Sequence, residues 1–485
     1  MRIRELSRNA LVYAVGSVGL RAGSFFLIPL YTHALSMDDW ARLAILLITS
    51  QILVTVTNLG MVTAMIRFTT EYERDKSLGV LVGSSTCLIL AVSAVATLFT
   101  VTVLNPLFRS ILHADHASSY LWLTCSAAAA QALFAQVLSF YRAKSQPFRY
   151  LFACMTAFAV LIALTLTLVL AFHQGVRAVL FAQTFTYGGA SVLLGGAIAA
   201  RTGFYVTKRA CWQLFCFGSP LIVSTTGDTV TIAAIQFFLS RLAGLEQVAI
   251  YALGAKLAQI IVISFIAPFQ QAYEPLVYSN IGESDTAKTI SKLFTYFTLG
   301  FAYAAFGIQF VSRPLLDVIA PPEYASAFTV LLLLLPGMAF RGLYTFGNSL
   351  LYIRKRTWVS AIVIFIMTLV SVALCLLAIP AWHMYGAVLV FDLTMACTAI
   401  ALVSLGMRTM YIRIERRIVV PVILFVSLLA LDFYCSSMSI PLYYTICPLA
   451  GLATVAALFL FGFFDANETL QMRTGWQRVQ KALRP

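Results

Sequence analysis

Charge is what this chain has least of. Only 11% of its 485 residues are Asp, Glu, Lys or Arg, less than half the usual share of soluble domains. With 60% hydrophobic residues and a mean hydropathy of +0.88, a fully water-solvated surface is excluded. Short segments of alternating hydrophobicity are missing as well, which excludes an outer-membrane barrel. The nine cysteines stand singly in apolar runs, as at Cys87, Cys125, Cys154 and Cys397, without CxxC spacing; this pattern frames neither a metal nor a redox site. The five histidines, His33, His113, His116, His173 and His383, lie in or near loops on one side, without ligand geometry. No phosphate loop, metal motif or nucleophile elbow occurs, so no cofactor is expected. A net charge of +14 raises the question of nucleic acid, but the basic residues cluster at segment ends and form no stripe, so a nucleic-acid partner is not expected.

What the chain does have is apolar sequence in blocks of about twenty residues or more, the length of a helix that crosses hydrocarbon. Charged and turn-rich breaks predict fourteen spans, near 9–35, 40–66, 79–104, 119–141, 148–172, 176–200, 212–240, 247–277, 292–312, 325–352, 358–380, 384–407, 418–435 and 442–463. The first is too long for a cleavable signal segment and leads straight into the second, so it is expected to be retained. The expected fold class is therefore all-α and polytopic. Its expected divisions are a six-helix lobe over 1–207, a second over 208–410, two further helices over 411–464, and a basic tail over 465–485. In that tail Met472, Trp476, Val479 and Leu483 share a helical face, which reads either as a helix lying on the inner leaflet or as a frayed basic tail.

Lys and Arg set the orientation. With both termini in the cytoplasm, most of the 33 basic residues fall on the inner side, and only Arg109, Arg177, Arg241 and Arg313 fall outside. Arg42, near the outer end of the second span, is expected to snorkel to the interface. Gly188, Gly189, Gly195 and Gly196 in the sixth span read as close helix packing.

An internal repeat supports two parallel lobes. Ser36-Met-Asp-Asp-Trp-Ala41 between spans one and two resembles Gly244-Leu-Glu-Gln-Val-Ala249 between spans seven and eight, at an offset of 208 residues that also places Gln51 on Gln259 and Arg21 on Thr229, next to Asp228. Arg21 lies in the middle of the first span and shares a helical face with Ser17 and Ser24. An ionised side chain at that depth faces a protein interior or a water-filled path.

The stretch Asn9–Tyr72, with Pro29-Leu-Tyr-Thr-His-Ala-Leu-Ser36, Asp38-Asp-Trp-Ala41, Asn58-Leu-Gly-Met61 and Arg67-Phe-Thr-Thr-Glu-Tyr72, resembles the polysaccharide-transporter family of the multidrug/oligosaccharidyl-lipid/polysaccharide superfamily. So does Leu245–Leu253, with Pro268 and Pro275 following it. Ala41 stands where that family often has Gly. The resemblance implies an inward-facing pair of lobes around a cationic cavity in a bacterial inner membrane. The implied cargo is a polyprenyl-diphosphate-linked glycan of O-antigen, capsule or exopolysaccharide type, carried between leaflets among membrane lipids, with glycan polymerase machinery as an expected partner.

A diphosphate crossing hydrocarbon needs cations to offset its desolvation. Arg21, Lys256 and Arg341 are the mid-span candidates, with Gln259 beside Lys256 as a further substrate contact, and the stripe Gln51, Thr55, Asn58 reads either as contacts for sugar hydroxyls or as hydrogen bonds between packed helices. Arg341 follows Pro336-Gly337, and either the loosened backbone there or Asn348 is its expected partner. Three roles stay open for Asp228: a static clamp on Arg21, a gate opened by the diphosphate, or a site for a coupling proton or sodium ion, a role for which Asp392 is the other candidate. Arg67 and Glu274 read as inner-gate residues or interfacial anchors. A cation-coupled multidrug exporter would show a cavity dominated by acidic residues, and a membrane-embedded glycan polymerase would need a catalytic loop. Basic mid-span residues outnumber acidic ones here, which favours the flippase.

Overall fold

The computed structural model describes residues 16, 19, 25–114, 117–172, 174–271, 273, 286–353, 357–410, 415–435, 440–460 and 463. Among these the secondary structure is helical throughout, with no strand. In chain order the helices are α1 Ile28–Ala34, α2 Met37–Asn58, α3 Met61–Arg74, α4 Leu78–Thr102, α5 Asn105–Leu112, α6 Ala117–Ala143, α7 Pro147–Leu166, α8 Gly175–Thr202, α9 Lys208–Ala243, α10 Leu245–Ile261, α11 Thr286–Ile319, α12 Ser326–Ile353, α13 Thr357–Met410, α14 Val419–Cys435 and α15 Ile440–Leu460. Two carry a π-helical turn at their C-terminal end, Thr167–Ala171 after α7 and Val262–Ile266 after α10. Nine helical segments among the described residues are long and apolar enough to cross a membrane. The chain is an all-α, multi-pass membrane protein.

Local chemistry explains the boundaries. The Ser36 hydroxyl accepts the Asp39 N–H at 3.2 Å, and Asp38 and Asp39 occupy the first turn of α2, where carboxylates oppose the positive helix end. The expected span 40–66 is not continuous. Leu59 and Gly60 both take left-handed conformations, with φ of 47° and 65°, and no right-handed helix passes through two such residues. α3 then begins afresh as an amphipathic helix, with Met61, Ala64, Met65 and Phe68 buried and Arg67, Thr70 and Glu71 exposed. The two spans expected at 358–380 and 384–407 are both present, as two helices of α13 joined directly at His383, where φ is 49° and ψ −124°. The pair is a hairpin: a Cβ on Gly386 would overlap the Ala378 carbonyl.

Packing between the helices relies on small residues and side-chain hydrogen bonds, as expected where lipid removes the hydrophobic drive for helix association. Buried Gln136 of α6 donates to Ser85 Oγ at 2.5 Å and Thr86 Oγ1 at 3.0 Å on α4. Gln131 of α6 meets Gln183 of α8 at 3.1 Å. Of the four glycines expected to pack closely in α8, only Gly188 and Gly195 face α6, opposite Ala130 and Val137; Gly189 and Gly196, rotated by one residue, face open space. The tightest glycine contact of the first half is Gly218 of α9, whose Cβ would overlap the Leu59 carbonyl oxygen.

The two copies of the repeated hairpin meet. Trp40 Nε1 of the first donates to the Ala249 carbonyl of the second at 3.1 Å, while the Trp40 ring stacks on Tyr31 at 5.8 Å. Nearby, Thr32 Oγ1 donates to the Ile319 carbonyl and Ser240 Oγ to the Ile111 carbonyl.

Packing groups the chain differently from its linear order. One compact unit comprises Met1–Gln259 with Leu315–Gly406, and the other Ile260–Pro314 with Met407–Pro485. Helix α9 ties the first unit together. It packs on α3 through Phe217 and Phe68, whose rings lie edge-on at 5.2 Å, and through Gln213, which accepts from Tyr72 Oη at 3.2 Å. The second unit has its own aromatic core around Phe306, Tyr443 and Leu428.

Candidate functional site

The polar centre of the first unit lies where α9, α12 and α13 meet. Asp228 of α9 accepts from Arg341 Nε of α12 at 3.3 Å and from the Tyr344 hydroxyl, one turn along the same helix. The two charged side chains are about one-fifth exposed, 21% for Arg341 and 18% for Asp228. One turn beyond Asp228, Thr231 Oγ1 lies 3.3 Å from Thr368 Oγ1 of α13, and a Cβ on Gly227 would overlap Ile364 of the same helix. Asp228 is thus held on a helix face pressed against α13 and is neutralised by α12.

This corrects two expectations about Arg341. Its partner is neither loosened backbone nor Asn348. Gly337 is packed against Asp392 and Phe391, and Asn348 instead accepts from Ser360 of α13. Arg21, one of the partners weighed for Asp228, lies outside the described residues, as do Glu274 and the tail beyond 463. Among the described residues, Asp228 belongs to Arg341 and Tyr344.

The remaining candidates separate by environment. Lys256 of α10 is half-buried, with no ion-pair or hydrogen-bond partner among the described residues, and stands less than two turns before the π-helical turn Val262–Ile266. Such turns recur at functional sites. Gln259, one turn from Lys256, is half-buried, and Gln51 on α2 is exposed; neither side chain has a hydrogen-bond partner among the described residues. Asn58 serves the fold: its Oδ1 accepts the Val62 N–H at 3.2 Å, capping α3, and its Nδ2 donates to the Ala132 carbonyl at 3.5 Å. Arg67 is exposed on α3, its guanidinium 5.9 Å from the ring of Phe68. Asp392 of α13 has one carboxylate oxygen, Oδ1, buried with no hydrogen-bond partner among the described residues. Arg42 does not simply snorkel, for it pairs with Asp39 at 2.9 Å and donates to the Leu112 carbonyl at 3.0 Å.

Pairing changes the charge balance. With Arg341 neutralised by Asp228, the described mid-span charges left over are one cation, Lys256, and one carboxylate, Asp392. The excess of cations that favoured a cationic cavity is therefore not found among the described residues. Tyr344 was missed, although its signal was present: Arg341 and Tyr344 are three residues apart and share a helical face. No group of three or more His, Cys, Asp or Glu residues that could hold a metal occurs among the described residues.

A family model described as polysaccharide biosynthesis protein matches residues 6–280, more than half of the chain. No individual curated protein matches. Among solved structures, the lipid II flippase MurJ in an inward closed conformation is similar, with a TM-score of 0.68 and 14% identity over 93% of this chain and 98% of that one. An inward-facing multidrug-resistance MATE transporter of the MOP superfamily is similar with a TM-score of 0.62 and 14% identity, over 85% of this chain and 95% of that one. A MOP-superfamily transporter from Pyrococcus furiosus, whose binding pocket is described as having reverse polarity, gives 0.58 and 13% over 84% and 95%. At these identities the likeness establishes a shared fold.

Proposed function

From the premise that the chain belongs to the polysaccharide biosynthesis protein family, we propose that it is a flippase that moves a polyprenyl-diphosphate-linked oligosaccharide from the cytoplasmic to the periplasmic leaflet of a bacterial inner membrane. The observation that carries this reading is the meeting, on one chain, of that family match with a fold similar to a lipid II flippase over 93% of the length. Lys256 is the residue we assign to the diphosphate: a half-buried ammonium with no counter-ion among the described residues gains from an anion that enters beside it. Gln259, one turn away, is placed to hydrogen-bond the same headgroup. Asp392, whose buried Oδ1 has no hydrogen-bond partner among the described residues, is the residue we assign to a coupling proton or sodium ion. Transport runs by alternating access. The hydrogen bonds from Trp40 to Ala249, Thr32 to Ile319 and Ser240 to Ile111 join the hairpin ends assigned to the outer side by the distribution of Lys and Arg, which supports a resting state closed on that side.

The MATE neighbours, together with the balanced described charges, keep drug export as a second reading, and one experiment separates the two. In a strain deleted for the gene, the lipid-linked oligosaccharide should accumulate on the cytoplasmic leaflet and return to normal on complementation. Lys256→Met should reach wild-type membrane abundance and restore translocation at least about tenfold less well, the loss of one charge-assisted contact. Accumulation on the periplasmic leaflet would point to a polymerase and sink the proposal. A normal lipid-linked pool accompanied by drug sensitivity would establish export.

A further inference from the structure

A polar cavity of about 490 Å³ lies at the hairpin joining α7 to α8, lined by Asp39, Tyr120, Gln174, Gly175, Arg177 and Phe181. The helical segments on either side, Pro147–Ala171 and Gly175–Thr202, are both long enough to span, so the cavity sits at a membrane–water boundary. Its charged groups are only partly used. The Arg177 guanidinium lies 5.6 Å from the ring of Tyr120, and its Nη2 donates to Ser119 Oγ at 3.4 Å. Its other N–H groups have no partner among the described residues. Asp39 spends Oδ1 on Arg42, at 2.9 Å. Its Oδ2 faces Gly175, 4.0 Å from where a Cβ would stand, and has no partner among the described residues. Arg42 is committed to Asp38, Asp39 and the Leu112 carbonyl, which leaves Arg177 to receive an anion.

A ligand for this cavity needs an anion for Arg177, a cation with N–H donors for Asp39, and an apolar part. Phe181 lines the cavity and stacks on Phe185 at 6.3 Å. Phe185 is 66% exposed, and farther down the same helix Val192 and Leu193 are each 74% exposed, an apolar track leading from the boundary into lipid. We propose that the cavity binds the headgroup of a zwitterionic aminophospholipid, with its phosphate on Arg177, its primary ammonium on Asp39 Oδ2 and an acyl chain along Phe181 and Phe185. Phosphate and ammonium stand two carbons apart in such a headgroup, so one molecule carries both of the groups that Arg177 and Asp39, lining one cavity, would take. A free anion would meet the Asp39 carboxylate, and a neutral sugar would leave the Arg177 charge without a counter-ion. The inference rests on the spanning character of the chain and not on the flippase reading.

Native mass spectrometry of the purified full chain tests it, with phosphatidylethanolamine, phosphatidylcholine and phosphatidylglycerol of matched acyl chains as probes. Phosphatidylethanolamine should be retained at least about tenfold better than either of the others, because the choline nitrogen has no N–H to donate and the glycerol headgroup has no cation. Arg177→Ala should lower retention of all three. Asp39→Asn should bring phosphatidylethanolamine down to the phosphatidylglycerol level, whereas Asp38→Asn should leave the preference intact. Gln174→Trp, outside both helices, should block the cavity without touching the Asp39–Arg42 pair, and so guards against misfolding as the cause. Equal retention of the three lipids, retention unchanged by Arg177→Ala and Gln174→Trp, or tighter retention of a lipid-free oligosaccharide than of phosphatidylethanolamine would overturn the assignment.

Discussion

Removing one member of the Asp228–Arg341 pair leaves a charge inside the helix bundle whose main remaining described support, on the Asp228 side, is the Tyr344 hydroxyl. At 3.3 Å and an effective dielectric of about 20, the attraction between unit charges is about 5 kcal/mol. Desolvation of both groups offsets much of this, and the one-fifth of each side chain that stays exposed lets water screen the rest. The net coupling should therefore fall at about 1–3 kcal/mol, between a surface pair and a fully buried one. Asp228→Leu and Arg341→Leu should each lower the melting temperature of the purified chain, and the double variant should be more stable than the sum of the two losses predicts. Exchanging the charges, with Asp228→Arg and Arg341→Asp in one chain, should recover part of the stability as well. Additive losses, with no coupling beyond about 0.5 kcal/mol, would refute the pairing. Leaflet assays on the double leucine variant then separate two roles. Recovered folding without recovered translocation marks the pair as part of the transport cycle, whereas recovery of both marks it as a clamp that apolar packing can replace.

Two further expectations concern how the helices hold together. Trp40→Phe keeps the stacking on Tyr31 but removes the donor to the Ala249 carbonyl, and should cost about 1 kcal/mol; engineered cysteines at the two hairpin tips should cross-link less readily, and unchanged cross-linking would show that this bond does not hold the hairpins together. Gly218→Ala places a methyl group on the Leu59 carbonyl and should destabilise the chain by about 1–3 kcal/mol, measured as a lower melting temperature, while Gly196→Ala, mid-helix in open space, should not lower it and should raise it slightly; equal effects of the two would refute the close contact.

Span existence was legible in the sequence because it depends on a local quantity, the length of an uninterrupted apolar run. Each of the fourteen expected spans coincides at least in part with a helix. Boundaries set by backbone conformation were less legible. The break at Leu59-Gly60 lies inside an apolar run, and its cause is a pair of left-handed residues rather than a polar gap. The break between the spans 358–380 and 384–407 was legible, and the structure turns the chain there at His383. The repeat, read at an offset of 208 residues, pointed to two related hairpins, and the structure adds that they touch, through Trp40 and Ala249. Function at Asn58 could not be read from residue type, since the same amide that suits a sugar also caps a helix.

The sequence by itself determined that this is an all-α chain built to cross a bilayer, with the polysaccharide-transporter family stamped on its first hairpins, because hydropathy and short motifs are properties of neighbouring residues. Only the tertiary structure decided which charges cancel. Asp228 and Arg341 are 113 residues apart in the chain, and nothing local to either names the other. Their meeting turns an expected cation into half of a neutral pair and leaves Lys256 as the described mid-span cation without a partner. An ion pair is a statement about distance in space, to which hydropathy and periodicity are blind.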